Sequence, residues 1–108
     1  MHNQPLIIDN PQAMRADSLA AKRRGETVAF VPTMGALHQG HLSLIDYAKS
    51  RHPRVVVSIF VNPLQFNQAS DLDQYPRTFE RDRGLCAEHG ADVIYFPSVS
   101  AMYPEGFQ

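Results

Sequence analysis

The sequence lacks several features that mark particular classes of protein. It has one cysteine, Cys86, which excludes an internal disulfide and fits a reducing compartment. Its 10 basic and 11 acidic residues are mixed along the chain and leave a net charge of −1, which disfavours a nucleic-acid partner. No apolar run approaches the ~20 residues of a membrane span, and the N-terminus lacks the apolar stretch of a signal peptide. We therefore expect a soluble, cytoplasmic protein with neither nucleic acid nor a membrane as partner.

What the sequence does contain is an alternation of short apolar runs with segments typical of helices. The apolar runs predict strands at residues 6–8, 28–31, 55–61 and 92–96. Cap residues and spacing predict helices over about residues 11–24, 41–51 and 78–89. This order predicts an α/β fold with a parallel sheet flanked by helices, where ligands gather at the carboxyl ends of the strands.

The predicted sheet is small. Residues 6–8 read as an edge strand, which leaves three core strands, or half of a doubly wound sheet. The run at 28–31 suits a strand that is buried on both faces and ends at Pro32. If that strand is central, one of its edges is uncovered unless residues 6–8 cover it. We therefore expect the chain to be part of a larger protein.

The most informative segment runs from Val28 to Lys49 and reads as a strand, a glycine-bearing turn and a helix. His38 and His41 lie where the turn becomes the helix. A helix N-terminus offers unpaired backbone N–H groups and a positive dipole end, which suit phosphate. Gly40 would let the backbone approach a ligand closely. The segment therefore predicts a nucleotide-triphosphate site whose imidazoles stabilise charge developing on a phosphoryl group.

Other interpretations of this segment are excluded or weaker. Gly35 and Gly40 have the spacing of a P-loop, but His41 and Leu42 replace its lysine and hydroxyl residue, so that mechanism is excluded. A dinucleotide G-x-G-x-x-G fingerprint is also absent. Surface or helix-cap histidines remain the plain alternative. A zinc site is a weak one, because no third ligand lies nearby, and we assign no metal ligand.

A second loop leaves the carboxyl end of the third predicted strand and carries Asn62 and Gln65. It should face the histidines across one crevice, and the Gln65 amide could orient a ligand that has both hydroxyl and carboxylate groups. Plain structural interpretations are given to the other polar residues: a solvated loop for 71–73, a charged helix face for 81–83, solvent exposure for His52 and His89, and packing for Cys86.

Four blocks of the sequence resemble one family. Residues 31–41, Val-Pro-Thr-Met-Gly-Ala-Leu-His-Gln-Gly-His, are similar to the amino-terminal signature of the pantoate–β-alanine ligases (pantothenate synthetases). Residues 58–66, 71–78 and 101–106 are similar to further blocks of that family in the same register. His38-Gln-Gly-His41 resembles the H-x-G-H element of a nucleotidyltransferase superfamily. Several blocks in register are far more specific than one motif.

This resemblance implies a Rossmann-like nucleotidyltransferase fold and an ATP- and Mg²⁺-dependent ligase. The reaction joins pantoate to β-alanine through a pantoyl adenylate and releases AMP and pyrophosphate. By resemblance, His41 and His38 are catalytic, with His41 as proton donor, and Gln65, Asn62 and Met34 contact pantoate or β-alanine. The resemblance also implies a homodimer. The residues implied to contact ATP are Met34, Gly35, Ala36, Leu37, His38, Gln39, Gly40 and His41.

The chain departs from the family pattern in length. The family's later Gly-x-x-Asp-x-Gln-Gln block, a lysine near it and a serine/arginine phosphate loop are missing. We therefore expect residues 1–108 to be the amino-terminal part of an ATP- and pantoate-binding domain, with Mg²⁺ ligands outside this chain and little activity alone. Two alternatives stay open: a different adenylyltransferase with the H-x-G-H element, or a non-catalytic fragment that binds nucleotide or self-associates.

Overall fold

The structure is a computed structural model that describes residues 4–60 and 78–98. It contains four strands and three helices in these ranges. The strands are β1 (Leu6–Ile8), β2 (Val28–Thr33), β3 (Arg54–Ile59) and β4 (Val93–Tyr95), and the helices are α1 (Pro11–Arg23), α2 (Gln39–Arg51) and α3 (Phe79–Glu88). The predicted elements are confirmed, with bounds that agree to within two residues.

The strands form one parallel sheet in the order β1-β4-β3-β2. The predicted parallel α/β fold is therefore confirmed. The central strands are β3 and β4, whereas β2 lies at one edge and β1 at the other. β1 pairs with β4, with Leu6 opposite Val93, so it does not cover β2. Among the described residues, no strand pairs with the outer edge of β2.

The edge position of β2 corrects two expectations. Burial on both faces is wrong, because the Phe30 side chain is 54% exposed. Pro32 does not end the strand but pairs with Ser58 inside it. The Thr33 carbonyl accepts the Phe60 N–H at 3.1 Å, so the alternating pattern of a parallel ladder turns the Pro32 nitrogen toward the unpaired edge. Proline is tolerated there because no hydrogen bond is required of it.

Helices cover both faces of the sheet. One face packs on α2 and α3 through a cluster that includes Ile45, Val57 and Cys86, and the other packs on α1 through Met14 and Val56. The inward residues of α2 are Leu42, Ile45 and Ala48, three residues apart. Leu44 is 56% exposed because it lies two residues from Leu42, on the opposite side of the helix.

Local signals explain where α1 begins and ends. The Asn10 side chain accepts the Ala13 N–H at 2.8 Å, and Pro11 takes the first helical position. Gly25 follows the helix with a φ of 80°, the left-handed conformation that ends many helices. Among the helices of the described ranges, none is both long and apolar enough to cross a bilayer.

Candidate functional site

The site is built on the turn between β2 and α2, residues 34–38, which we call the β2–α2 turn. Its first anchor is Thr33 at the carboxyl end of β2. The Thr33 hydroxyl donates to the Ser58 carbonyl of β3 at 2.9 Å and accepts the Gly35 N–H at 3.1 Å. Gly35 and Ala36 both have positive φ angles, 87° and 51°. The chain thus reverses through two left-handed residues, a conformation that alanine adopts at a cost of ~1–2 kcal/mol.

A second anchor comes from α3. The Asp82 carboxylate accepts the Ala36 N–H at 2.8 Å and the Leu37 N–H at 2.9 Å. Arg81 donates to the Leu37 carbonyl at 2.9 Å and to Asp82 at 3.2 Å. The Asp82 side chain is 0% exposed, so the interpretation of residues 81–83 as a charged helix face is wrong for Asp82. The strained turn is therefore fixed from outside by a buried carboxylate.

The sequence did carry a signal for Asp82. Phe79, Asp82 and Cys86 lie at positions i, i+3 and i+7 of α3, and Asp82 and Cys86 are both fully buried. This spacing puts an acidic side chain on the helix face that packs on the core. A buried carboxylate needs hydrogen-bond donors, which the turn supplies as backbone N–H groups. Cys86 is packed as predicted, and burial, reinforced by Asp82, raises its thiol pKa to about 12.

His38 and His41 form a reciprocal cap at the start of α2. The helix begins at Gln39, two residues earlier than predicted, with His38 as N-cap. The His38 ring accepts the Gly40 N–H on Nδ1 at 3.0 Å, and the His41 ring accepts the His38 N–H on Nδ1 at 3.1 Å. The ring centroids are 4.0 Å apart. The two imidazoles thus replace the Ser/Thr and Glu/Gln side chains of a capping box.

These hydrogen bonds assign the protons of both rings. A neutral imidazole whose Nδ1 accepts a hydrogen bond carries its proton on Nε2. Burial, and then the neighbouring His38, lower the pKa of His41, while Asp82 opposes them with a smaller effect. Among the described residues, neither Nε2 atom has a hydrogen-bond partner. The cap therefore leaves two neutral N–H donors side by side at the positive end of a helix dipole.

The backbone donors of the β2–α2 turn are used internally, which differs from the expected phosphate cradle. Five N–H groups have acceptors inside the protein: Gly35 on Thr33, Ala36 and Leu37 on Asp82, His38 on His41, and Gly40 on His38. The expectation that unpaired backbone N–H groups receive the phosphate is therefore wrong for these positions.

Of the other residues predicted to contact ATP, some are exposed to solvent and one is buried in the core. Met34 is 50% exposed beside the end of β2, and Gln39 and Gly40 are exposed at the start of α2. Leu37 is 1% exposed, belongs to the core, and has both backbone polar groups hydrogen-bonded to α3. Its part in the site is to hold the turn in place.

Gly40 has a structural role within the cap, and its predicted role toward a ligand stays a prediction. A Cβ atom at this position would lie 2.9 Å from Cε1 and 3.1 Å from Nδ1 of His38. The glycine therefore makes room for the His38 ring over the first turn of α2. Close approach of the backbone to a ligand is not needed to explain it.

The remaining candidates lie elsewhere. Asn62 and Gln65 fall outside the described residues, as do residues 71–73. His52 and His89 precede β3 and β4, at the amino-terminal edge of the sheet, and they are half-buried rather than solvent-exposed as predicted. Their Nδ1 atoms lie 2.9 Å from the Thr27 hydroxyl and 2.7 Å from the Asp46 carboxylate, respectively. They belong to packing at the edge opposite the site.

Metal binding was tested on the described ranges. Within residues 4–60 and 78–98, no three His, Cys, Asp or Glu side chains come together in a group that could hold a metal ion. The acidic side chain of Asp82 contacts the turn, and its oxygens already accept two backbone N–H groups. Among the described residues, the site therefore offers hydrogen-bond donors but no group of three such side chains for a metal ion.

The parallel sheet flanked by helices defines an α/β domain, with the histidine cap after the carboxyl end of one strand. In such domains, ligands generally bind at the carboxyl ends of the strands. The profile of the family described as pantoate-beta-alanine ligase matches residues 6–108. The chain belongs to this family.

Similar proteins agree with that assignment. The chain is 51% identical over 102 residues to a pantothenate synthetase from a Sulfurihydrogenibium species, covering 94% of this chain and 36% of the relative. It is 54% identical over 103 residues to one from Shewanella piezotolerans, covering 95% and 36%. The chain thus spans about a third of the length of the curated relatives that it matches.

Solved structures match the fold as well. A pantoate-beta-alanine ligase from Francisella tularensis, complexed with beta-gamma ATP and beta-alanine, superposes with a TM-score of 0.81 at 42% identity. That match covers 94% of this chain and 39% of the other. A pantothenate synthetase from Thermus thermophilus superposes with a TM-score of 0.78 at 50% identity, covering 94% and 35%.

Proposed function

We propose that this chain forms the ATP-phosphate side of a pantoate–β-alanine ligase. The overall reaction joins pantoate to β-alanine, consumes ATP, and releases AMP and pyrophosphate. The observation that carries the proposal is the pair of neutral Nε2–H donors that His38 and His41 present at the start of α2. The relative from Francisella tularensis, complexed with beta-gamma ATP and beta-alanine, supports ATP and β-alanine as substrates.

In the first step, a pantoate carboxylate oxygen attacks the α-phosphorus of ATP. The bond from that phosphorus to the departing pyrophosphate breaks, which gives pantoyl adenylate and pyrophosphate. Negative charge grows on the phosphoryl oxygens and on the leaving group. The Nε2–H groups of His38 and His41 donate hydrogen bonds to these oxygens, and losing one such donor typically costs ~10²–10³ in rate.

The resemblance implies that His41 is a proton donor, and we propose that it donates a hydrogen bond without transferring its proton. Its lowered pKa keeps the ring neutral near pH 7. Pantoate reacts as a carboxylate and pyrophosphate leaves as an anion, so the first step needs no proton from the protein. We assign His41 the donation of a hydrogen bond through Nε2 while the proton stays on the ring.

In the second step, the neutral amine of β-alanine attacks the acyl carbon of the adenylate. The acyl–phosphate bond breaks, AMP leaves, and the amine releases a proton as the amide forms. The roles of Gln65 and Asn62 toward pantoate or β-alanine rest on the family resemblance alone. Met34, which is exposed beside the turn, is proposed as a further contact.

Magnesium, which the resemblance implies, finds no group of ligands in the described ranges. We propose that its ligands lie outside them, and no step above depends on it. The cytoplasmic location and the homodimer implied by the resemblance are also proposals. Sedimentation of the longer family members would test the homodimer.

The test of the function is pyrophosphate exchange into ATP, measured with and without pantoate on a full-length relative and on its double variant at the two histidines that match His38 and His41. Pantoate-dependent exchange that the variant loses supports the proposal. Exchange that depends on a different acceptor would favour another adenylyltransferase. The 108-residue chain should release little AMP, because it spans about a third of those relatives. Turnover like that of the full-length enzyme would contradict this expectation.

A second candidate is favoured by the exposed side of β2. The outer edge of β2 has no strand partner among the described residues, and Phe30, Leu44 and Tyr47 are exposed apolar residues. We propose as the alternative that the chain binds nucleotide and self-associates through this side without catalysis. Nucleotide titration combined with gel filtration separates the two. Binding and dimers without AMP release from the full-length protein would favour the second candidate.

A further inference from the structure

We propose that Asp82 is a positioning residue for the phosphate site. By holding the β2–α2 turn, its buried carboxylate sets where the rings of His38 and His41 stand. The proposal rests on the function given above. It assigns a role in that function to a side chain on α3, more than forty residues along the chain from the histidines.

The carboxylate divides its two oxygens between two consecutive amides of the turn. Oδ2 accepts the Ala36 N–H at 2.8 Å, and Oδ1 accepts the Leu37 N–H at 2.9 Å. The side chain is 0% exposed, so water does not compete for these donors. Hydrogen bonds to a charged group are stronger than those between neutral groups. Asp82 therefore fixes the two residues that directly precede His38.

Arg81 closes this arrangement from the solvent side. Its guanidinium reaches the Leu37 carbonyl at 2.9 Å and the Asp82 carboxylate at 3.2 Å, while its own side chain is 58% exposed. Leu37 is thus held at both its N–H and its C=O. The next N–H along the chain, that of His38, is the one that His41 accepts.

Contacts from α3 therefore set the position of the histidine cap. Gly35 and Ala36 are in left-handed conformations, and a non-glycine residue holds one only when its surroundings enforce it. Release of the Ala36 and Leu37 amides would let the turn relax and move the His38 N–H away from His41. The two rings, whose centroids lie 4.0 Å apart, would then lose the arrangement in which both Nε2–H donors are held close together.

The substitution Asp82→Asn tests this with little change in shape. The amide oxygen can accept one backbone N–H, but its NH₂ group would face the other, donor against donor. Hydrogen exchange at the Ala36 or Leu37 amide should become at least about tenfold faster, and the Kd of the 108-residue chain for ATP should rise about tenfold. The Nε2 resonances of His38 and His41 should also shift in the absence of ATP.

Asp92→Asn is the matched control. Asp92 likewise accepts a backbone N–H, from Val55 at 2.7 Å, and pairs with a cation, Lys49 at 3.0 Å, but at the amino-terminal edge of the sheet. This variant should lower the free energy of unfolding while leaving ATP affinity and the histidine resonances as in the wild type. Arg81→Met keeps the carboxylate and should show a smaller change of the same kind as Asp82→Asn, which decides the matter if Asp82→Asn fails to fold.

Two results would overturn the proposal. One is an Asp82→Asn chain that is less stable yet keeps the wild-type ATP affinity and histidine resonances. The other, if that variant does not fold, is an Arg81→Met chain with unchanged resonances. A failure of the proposed function would give a different result from a failure of the role assigned to Asp82. In that case the wild-type chain does not bind ATP, while amide exchange and the histidine resonances still report whether Asp82 holds the turn.

Discussion

At the residue scale, the imidazoles of His38 and His41 perform two tasks with different nitrogen atoms. Nδ1 of each ring caps backbone N–H groups of the turn and helix. Nε2 of each ring is left as a donor, and the same hydrogen bonds fix both its protonation and its direction. The structural interpretation of these histidines as helix caps and the functional one are therefore compatible, because capping is what prepares the donors.

Gly40→Ala should separate these tasks. The added methyl group would lie 2.9 Å from the His38 ring and force it to move. Alanine is also the better helix former, by up to ~1 kcal/mol. Moving the ring also disturbs its cap on the Gly40 N–H, which offsets this gain, so we expect little net change in stability. The affinity for ATP should be about tenfold weaker, the cost of one misplaced donor to a charged ligand. Urea unfolding and ATP titration measure the two effects.

Gly84→Ala is the control for this prediction. Gly84 lies inside α3, and a Cβ atom there would meet nothing within 4 Å. It should raise stability and leave ATP affinity unchanged. Wild-type affinity in Gly40→Ala would show that the position of the His38 ring does not matter.

The pH dependence of stability should report His41. Its pKa in the folded chain lies below the ordinary value of 6.5, because burial and His38 disfavour its charge. As the pH falls, the unfolded chain therefore takes up this proton first. The stability that the neutral ring contributes is complete above about pH 6.5 and is lost as the pH falls through the folded pKa.

Urea unfolding between about pH 7.5 and pH 5.5 would measure this slope, and His41→Asn should reduce it. Asparagine keeps an acceptor for the His38 N–H but does not titrate. The charged or titratable groups that act on the ring are His38 and Asp82. A slope that is the same in His41→Asn would contradict the lowered pKa.

At the element scale, β2 is one of the two edge strands of the described sheet. Its outer edge has no strand partner among the described residues, and a groove of about 370 Å³ runs between it and α2. Phe30, Leu44 and Tyr47 line this groove and are each more than half exposed. An edge of this kind favours pairing with another chain. We expect the 108-residue chain to associate in a concentration-dependent way.

Phe30→Lys should weaken that association, because it puts a charge on the exposed face of the edge strand. Sedimentation velocity across a concentration series would measure it. Leu6→Lys is the control, since Leu6 is 52% exposed, close to the 54% of Phe30, but lies on β1 at the opposite edge. Equal effects of both substitutions would show that β2 is not the contact.

At the scale of the whole molecule, the elements were predictable and their arrangement was only partly so. Apolar runs marked the strands, and Asn10, Pro11 and Gly25 marked the ends of α1, because these signals act within a few residues. The order of strands depends on contacts between distant segments. For this reason the edge position of β2 was not predictable from its apolar residues.

The site residues show the same difference between signals within a few residues and contacts between distant segments. His38 and His41 were found because a strand, a turn and a helix start follow one another in sequence. Asp82 was missed because its acceptor atoms meet backbone N–H groups, which carry no side-chain signature, on a turn more than forty residues away. Its charged neighbours, Arg81 and Arg83, made a solvated helix face the simpler interpretation.

The most direct test of the central claim is the ¹⁵N NMR spectrum of the histidine rings in the 108-residue chain at about pH 7.5, above the ordinary histidine pKa of ~6.5, without and with ATP. We predict that Nδ1 is unprotonated and Nε2 protonated in both His38 and His41, and that ATP shifts the Nε2 resonances most. A proton on Nδ1, a charged ring in the free chain, or ATP binding that leaves both rings unchanged would contradict the account.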